Sequence, residues 1–357
     1  MNLKIFVSQV ELLFIEDEES AKQYILDRLN NQRTKLVRLI NELDENIDSY
    51  FSVKRETVIS NIRELYGELI ASVQAFLEGR FEDSSNFIFD RFLDPESKKR
   101  ITPLKALQIN SKDKLFRVRS NDTYSLYERN EMFHIPFEKR GLVTNQRYSI
   151  SGYPCLYLGS SIYGCWEATG RPHVDTFNIV ALKATMPFNL IDLRIPTLKN
   201  IEPLFNEEYI YQLVLPLVCS LKARKTSDSF KPEYIIPQNV LNCIIKRNNK
   251  KYNVDVHWDG IIYTSNIYGN KECLFNDKDR LINIVIPIKT SREKGLCEKL
   301  VNQFTMTKPT SMLSERLRKN VKATFFYDEN SFLDHYNNTI WGEIEESVLQ
   351  EEYLIIE

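Results

Sequence analysis

With 357 residues and 43% hydrophobic content, the chain is long enough to build two domains with a sizeable core, which excludes a small disulfide scaffold or a disordered tail. Its net charge of −2 hides an asymmetry: residues 1–95 carry 11 Lys+Arg against 18 Asp+Glu, residues 342–357 carry six Glu and no base, and the middle is left with a net +11. A basic body between acidic ends suits an anionic substrate. The longest apolar runs, such as residues 281–288, fall well short of the ~20 residues of a membrane helix, and no small-residue cleavage site follows the N-terminal apolar stretch, so a cytoplasmic protein with no membrane partner is expected.

From Glu19 to about Gly79 the chain has almost no Gly or Pro. Apolar residues recur at Leu36, Ile40, Leu43, Ile47 and Tyr50, then at Val58 or Ile59, Ile62, Tyr66, Leu69, Val73 and Phe76. That three-four spacing predicts amphipathic helices, either two in an antiparallel hairpin or one in a coiled coil. Residues 1–100 are therefore expected to form an all-α N-terminal region for regulation or for self-association into a homo-oligomer, because such a stripe must be buried against something. Around Asp94, Pro95, Lys98 and Pro103 the periodicity stops, and residues 101–357 read as a second domain with an acidic tail. There, β-rich segments at 114–119, 155–160, 177–184, 259–265 and 281–288 alternate with helical segments at 161–170, 207–223 and 235–247, which predicts an α+β domain. The six cysteines, Cys155, Cys165, Cys219, Cys243, Cys273 and Cys297, show no CxxC pair and no His at zinc-ligand spacing. Neither a metal nor a disulfide framework is signalled, and buried thiols are expected.

Residues 133–172 are the most informative stretch. Arg147 precedes a Ser-Ile-Ser-Gly-Tyr-Pro turn, and a strand then carries Tyr157. Ser160 or Ser161 is placed to cap a helix in which Glu167 falls about two turns in. Arg147, Tyr157 and Glu167 thus come at intervals of ten across two changes of direction, which permits them to converge.

This order of motifs resembles the RES domain family, named for its Arg, Glu and Ser. The later strand Asp259-Gly260-Ile261-Ile262-Tyr263-Thr264-Ser265 supplies the Ser, and Phe116-Arg117-Val118-Arg119 and Glu233-Tyr234-Ile235-Ile236-Pro237-Gln238 match further segments. The resemblance covers residues 113–290. It departs at Gln146-Arg147-Tyr148-Ser149, where many members have Gly-Arg-Trp-Asn.

The resemblance implies a fold similar to the ADP-ribosyltransferase toxins and an activity on NAD as substrate, with no metal, in a toxin or defence enzyme restrained by an antitoxin or regulatory protein. It assigns the cleavage of the nicotinamide–ribose bond, by water or by phosphate, to Glu167, Tyr157 and Ser265. Arg147, with Arg117 or Arg119, would bind the pyrophosphate, since a planar guanidinium grips it with parallel hydrogen bonds. Tyr157 offers a ring face, Glu167 opposes the ribosyl cation, and Ser265 holds Glu167 or a ribose hydroxyl. ADP-ribosyl transfer to a protein would use the same residues. Two other classes compete. Arg129 and His134 sit at the spacing of a HEPN ribonuclease, although Pro136 opposes a continuing helix there and a nucleic-acid partner is not favoured. A receptor that binds NAD without turning it over is the other.

Overall fold

The three-four spacing of the N-terminal stretch resolves into two helices, Ile25–Asn41 and Arg55–Leu77, joined through a 3-10 turn at Glu45–Tyr50. In this computed structural model Arg55, at the start of the second helix, donates to the carbonyls of Asn41 (3.2 Å) and Leu43 (2.7 Å) at the end of the first. The Tyr66 hydroxyl donates to Gln32 (3.2 Å) further along, so the pair is an antiparallel hairpin and not one continuous helix. Leu36, Ile40, Ile62, Leu69 and Val73 are fully buried, whereas Tyr50 is exposed because the chain has already turned out of the helix. The structure describes all residues except 16–17, 95–96, 99–103, 122–124, 197–204, 250–256, 270–272, 274, 276, 320–335 and 357. Of the expected linker, Pro95 and Pro103 lie outside the described residues, whereas Asp94 accepts from the Ser97 amide (3.3 Å).

The chain divides into two compact units. The helical unit holds residues 1–106, 145–150 and 191–257, and the sheet unit holds residues 107–144, 151–190 and 258–357. Helices Glu207–Cys219 and Ile235–Asn249, placed by sequence order in the second domain, thus cluster with the N-terminal helices. Glu207–Cys219 is apolar throughout from Leu213 onward, with Ile210, Val214, Leu215 and Leu217 wholly buried, and a helical stretch without a polar face needs cover all round. Within this unit Gln32 donates to the Leu217 carbonyl (3.0 Å), and Asn239 donates to Ser84 (2.7 Å). The N-terminal stripe is therefore covered by the chain itself. A fragment beginning at Lys112 is expected to lose this cover and to aggregate or lack a cooperative melt. A soluble 112–357 fragment with a cooperative melt would contradict that.

The sheet has ten strands among the described residues: β1 (Ala106–Ile109), β2 (Leu115–Ser120), β3 (Cys155–Gly159), β4 (Phe177–Ala184), β5 (Phe188–Leu193), β6 (Gly260–Thr264), β7 (Ile282–Pro287), β8 (Phe304–Met306), β9 (Thr310–Ser311) and β10 (Leu354–Ile355). Their order is β1-β5-β6-β7-β3-β2-β4-β8-β10, with β9 beside β4. The pairings β6–β7, β7–β3, β3–β2, β2–β4 and β4–β8 are antiparallel. The molecule is thus α+β, with a helical N-terminal region.

Strand alternation sends side chains to two layers. Leu115, Leu156, Leu158, Val180, Ile284 and Ile286 pack with Met132, Phe133 and Phe137 on one side. Phe116, Val118, Ile179 and Ala181 pack with Ile162, Tyr163 and Trp341 on the other. This second layer includes the helices Ile162–Ala168 and Ile340–Gln350. No helix of the described residues is long and apolar enough to cross a membrane.

Candidate active site

The helix Ile162–Ala168 follows β3 after a two-residue turn, and Ser161 caps it by accepting from the Gly164 amide (2.8 Å). The same hydroxyl donates to the Arg280 carbonyl (2.7 Å). Gly164 is required here, since a β-carbon would lie 2.4 Å from that carbonyl oxygen. The helix is thereby seated against the backbone that leads into β7.

Glu167 lies two turns in and is only 4% exposed. Its Oε1 accepts from the Tyr163 hydroxyl (2.5 Å), and its Oε2 accepts from Arg171 Nε (2.8 Å). Both partners stand four residues away, one on each side, where helical geometry brings side chains together. Tyr163 is fully buried; burial, then its bonds to Cys273 and Glu167, push its pKa far above the ordinary range and keep it a donor. Its hydroxyl also lies 3.2 Å from the Cys273 sulfur, and the Cys273 thiol donates to the Phe275 carbonyl (3.6 Å). Arg171 is aimed at Glu167 by the way the helix ends. Gly170 donates to the Glu167 carbonyl and Arg171 to the Trp166 carbonyl (3.1 Å each), a Schellman pair, with Gly170 at φ 85° and Arg171 at φ 56°. A left-handed conformation at a non-glycine residue is uncommon and is retained where surrounding contacts fix it. Neither Tyr163 nor Arg171 was singled out from the sequence, although the spacing Tyr163-x3-Glu167-x3-Arg171 was the available signal.

The other sequence candidates distribute unevenly. Tyr157 alternates with Leu156 and Leu158, so its half-buried ring points to the side of the sheet that the Glu167 helix occupies. Burial raises its pKa, with Cys155 and Tyr263 adding. Val285 of β7 stands between Tyr157 and Ile261 in register, which puts Ile261, Tyr263 and, just beyond the strand, Ser265 on that side as well. Ser265 is buried, and its hydroxyl accepts from the Ile267 amide (3.5 Å); it is Tyr163 and Arg171, not Ser265, that hold Glu167. Asp259 of the same motif accepts from the Asn189 amide (2.9 Å) and Lys289 (2.7 Å), which ties β6 to its neighbours.

Arg117 and Arg119 alternate with Phe116 and Val118 and therefore face the opposite layer. Arg117 donates to the Tyr157 carbonyl (2.9 Å), and burial, with Arg119 adding, lowers its pKa to about 10. Arg119 donates to the Glu131 carbonyl and lies over the Tyr127 ring, 4.5 Å from its centre. Arg147 belongs to the helical unit. There it donates to the carbonyl of Cys219, the last residue of helix Glu207–Cys219, where a cation suits the negative end of the helix dipole, and it lies 5.2 Å from the Tyr234 ring centre. Five of the six cysteines are buried as free thiols, and Cys273 is half-buried.

His134 is fully buried and committed to the backbone at both nitrogens, Nδ1 to the Ile135 carbonyl and Nε2 to the Cys297 amide (2.8 Å each). Arg129 contacts the Ile355 carbonyl (3.4 Å), and no helix carries both residues. The acid–base pair of a ribonuclease is therefore not assembled. Burial lowers the His134 pKa from 6.5 to about 4, with Arg117 adding, so the fold prefers the neutral ring. The stabilisation is complete above pH 6.5 and is lost as pH falls through about 4, up to about 3 kcal/mol. Denaturation curves between these pH values should show a steeper loss in the parent than in His134→Asn. Parallel slopes would remove the assignment.

No family model and no solved structure matches the chain. The chain is 32% identical over 252 residues to a protein of Bacillus subtilis (strain 168) that bears the name "Putative toxin YopC". The match covers 65% of this chain and 55% of that protein, so the chain spans little more than half the length of its curated relative.

Proposed function

We propose that this protein consumes NAD by breaking its nicotinamide–ribose bond, as a toxin or defence enzyme, and that its sheet unit is a RES-type, ADP-ribosyltransferase-like domain. The observation that carries this reading is Glu167, a buried carboxylate fixed at both oxygens by Tyr163 and Arg171, on the side of the sheet shared with Tyr157 and Ser265. When the bond breaks, its electron pair leaves with the ring nitrogen and nicotinamide departs neutral, so no strong acid is needed. Positive charge builds on the ribose, and a fixed carboxylate opposes it. Tyr157 offers a ring face and Ser265 a hydroxyl to the substrate. The Arg171 side chain is 36% exposed, stands beside Glu167, and is the cation that a pyrophosphate entering here would engage. The order of motifs supports the NAD reading, and the name of the relative supports its toxin part alone.

The test is product analysis of the full-length protein with NAD, in water, in phosphate, and with candidate acceptor proteins. Water adding to the ribose carbon gives ADP-ribose, nicotinamide and one proton. Phosphate gives the phosphorylated ADP-ribose, and a protein acceptor becomes modified. Release of nicotinamide is expected, and the co-product identifies the acceptor. Absence of nicotinamide release under all three conditions would overturn the proposal, and tight NAD binding without release would favour a receptor.

A further inference from the structure

The helix Ile162–Ala168 has seven residues, too few to hold its geometry unaided, so whatever is packed on it sets where Glu167 stands. Part of that support comes from the helix Ile340–Gln350, which lies beyond the residues that carry the family resemblance. Glu345 Oε1 accepts from the Ile162 amide (2.7 Å), one of the donors that a helix start leaves unpaired. The same oxygen accepts from the Tyr336 hydroxyl (2.5 Å), and the Arg280 guanidinium lies 3.6 Å from the Tyr336 ring centre. Arg280 is also the residue whose carbonyl seats Ser161. Trp341 is buried against the two aromatic residues that precede Glu167 on its helix, 5.5 Å from the Tyr163 ring in edge-to-face geometry and 5.2 Å from the Trp166 ring. The start of this helix is itself tightly determined, because a β-carbon on Gly342 would come within 2.5 Å of the Tyr336 carbonyl.

We propose that Trp341 and Glu345 are positioning residues for Glu167: one fixes the ring whose hydroxyl binds the carboxylate, and the other fixes the first turn of its helix. The consequence for turnover rests on the NAD reading given above, whereas the consequence for the helix does not. Small displacements of a reacting group are costly, on the order of 10²-fold in rate for about 1 Å.

Two measurements on the full chain test this. The first is amide hydrogen exchange over residues 160–171 without substrate, in the parent, Trp341→Ala, Trp341→Phe, Glu345→Ala and Glu345→Gln. Exchange is expected to rise roughly tenfold or more in the two alanine variants, and to return toward the parent in Phe, which keeps a ring, and in Gln, which keeps an acceptor oxygen. The second is NAD turnover, where both alanine variants should lower kcat by about 10- to 100-fold with KM within about twofold, again with rescue by Phe and Gln. If Trp341→Ala does not fold, the Glu345 pair decides alone. Parent-like exchange in Glu345→Ala would overturn the proposal, as would a loss that appears in KM and not in kcat. A parent protein that turns over no NAD would sink the proposed function, while the exchange measurement would still decide whether these residues hold the Glu167 helix.

Discussion

Glu167→Gln is expected to reduce NAD turnover by about 10²- to 10³-fold while leaving the fold and NAD binding close to the parent. Glutamine keeps the shape of the side chain and retains a carbonyl oxygen that accepts from Tyr163, which lies 2.5 Å from Glu167. What it loses is the charge that opposes the ribosyl cation, and this interaction matters more in the transition state than in the ground state. The fall should therefore appear in kcat, with KM little changed. Single-turnover measurement of nicotinamide release, beside a thermal melt of each protein, separates lost chemistry from lost folding. A variant that consumed NAD at the parent rate would show that Glu167 is not the group in question, even if the parent is an NAD-consuming enzyme.

The largest effect on stability is expected at Arg28. Its Nη1 donates to Glu233 Oε1 (2.7 Å) and its Nη2 to the Lys222 carbonyl (2.6 Å), and the two charged side chains are 1% and 3% exposed. Glu233 also accepts from the Arg224 amide (3.3 Å), but its second oxygen is buried with no hydrogen-bond partner among the described residues. Removing Arg28 leaves that carboxylate buried without its cation, which typically costs about 3–5 kcal/mol. Arg28→Met should therefore destabilise the protein by that order in urea denaturation. The double change Arg28→Met with Glu233→Leu should recover most of the loss, because an apolar pair of similar size avoids the desolvation of both charges. A single variant within about 1 kcal/mol of the parent would mean that the site relaxes or admits water.

Periodicity alone located the long N-terminal helices, since the stripe from Leu36 to Val73 depends only on local helical geometry. The same local rules placed β2, β3, β4, β6 and β7, the cap at Ser161 and the position of Glu167 two turns into its helix. Each of these is decided by residues a few positions apart. The partners of Glu167 were legible in principle, as Tyr163 and Arg171 stand at four-residue spacing, but a tyrosine and an arginine on a short helix have many ordinary roles.

Other features rest on contacts between distant parts of the chain, and no local pattern encodes them. The stripe itself was compatible with a coiled coil or with intramolecular cover. It is the tertiary structure that fills it with helices from residues 207–249, whose buried apolar residues, such as Val214, Leu217, Val240 and Leu241, need the same cover. The pairing of Arg28 with Glu233 spans 205 positions, and that of Ile162 with Glu345 spans 183. Arg117 and Glu167 are expected at one NAD site, yet strand alternation sends them to opposite sides of the sheet. Sequence determines which residues share a helix face or a strand. Which of those faces meet is decided by the burial of apolar surface over the whole chain, and that is settled only in the folded structure.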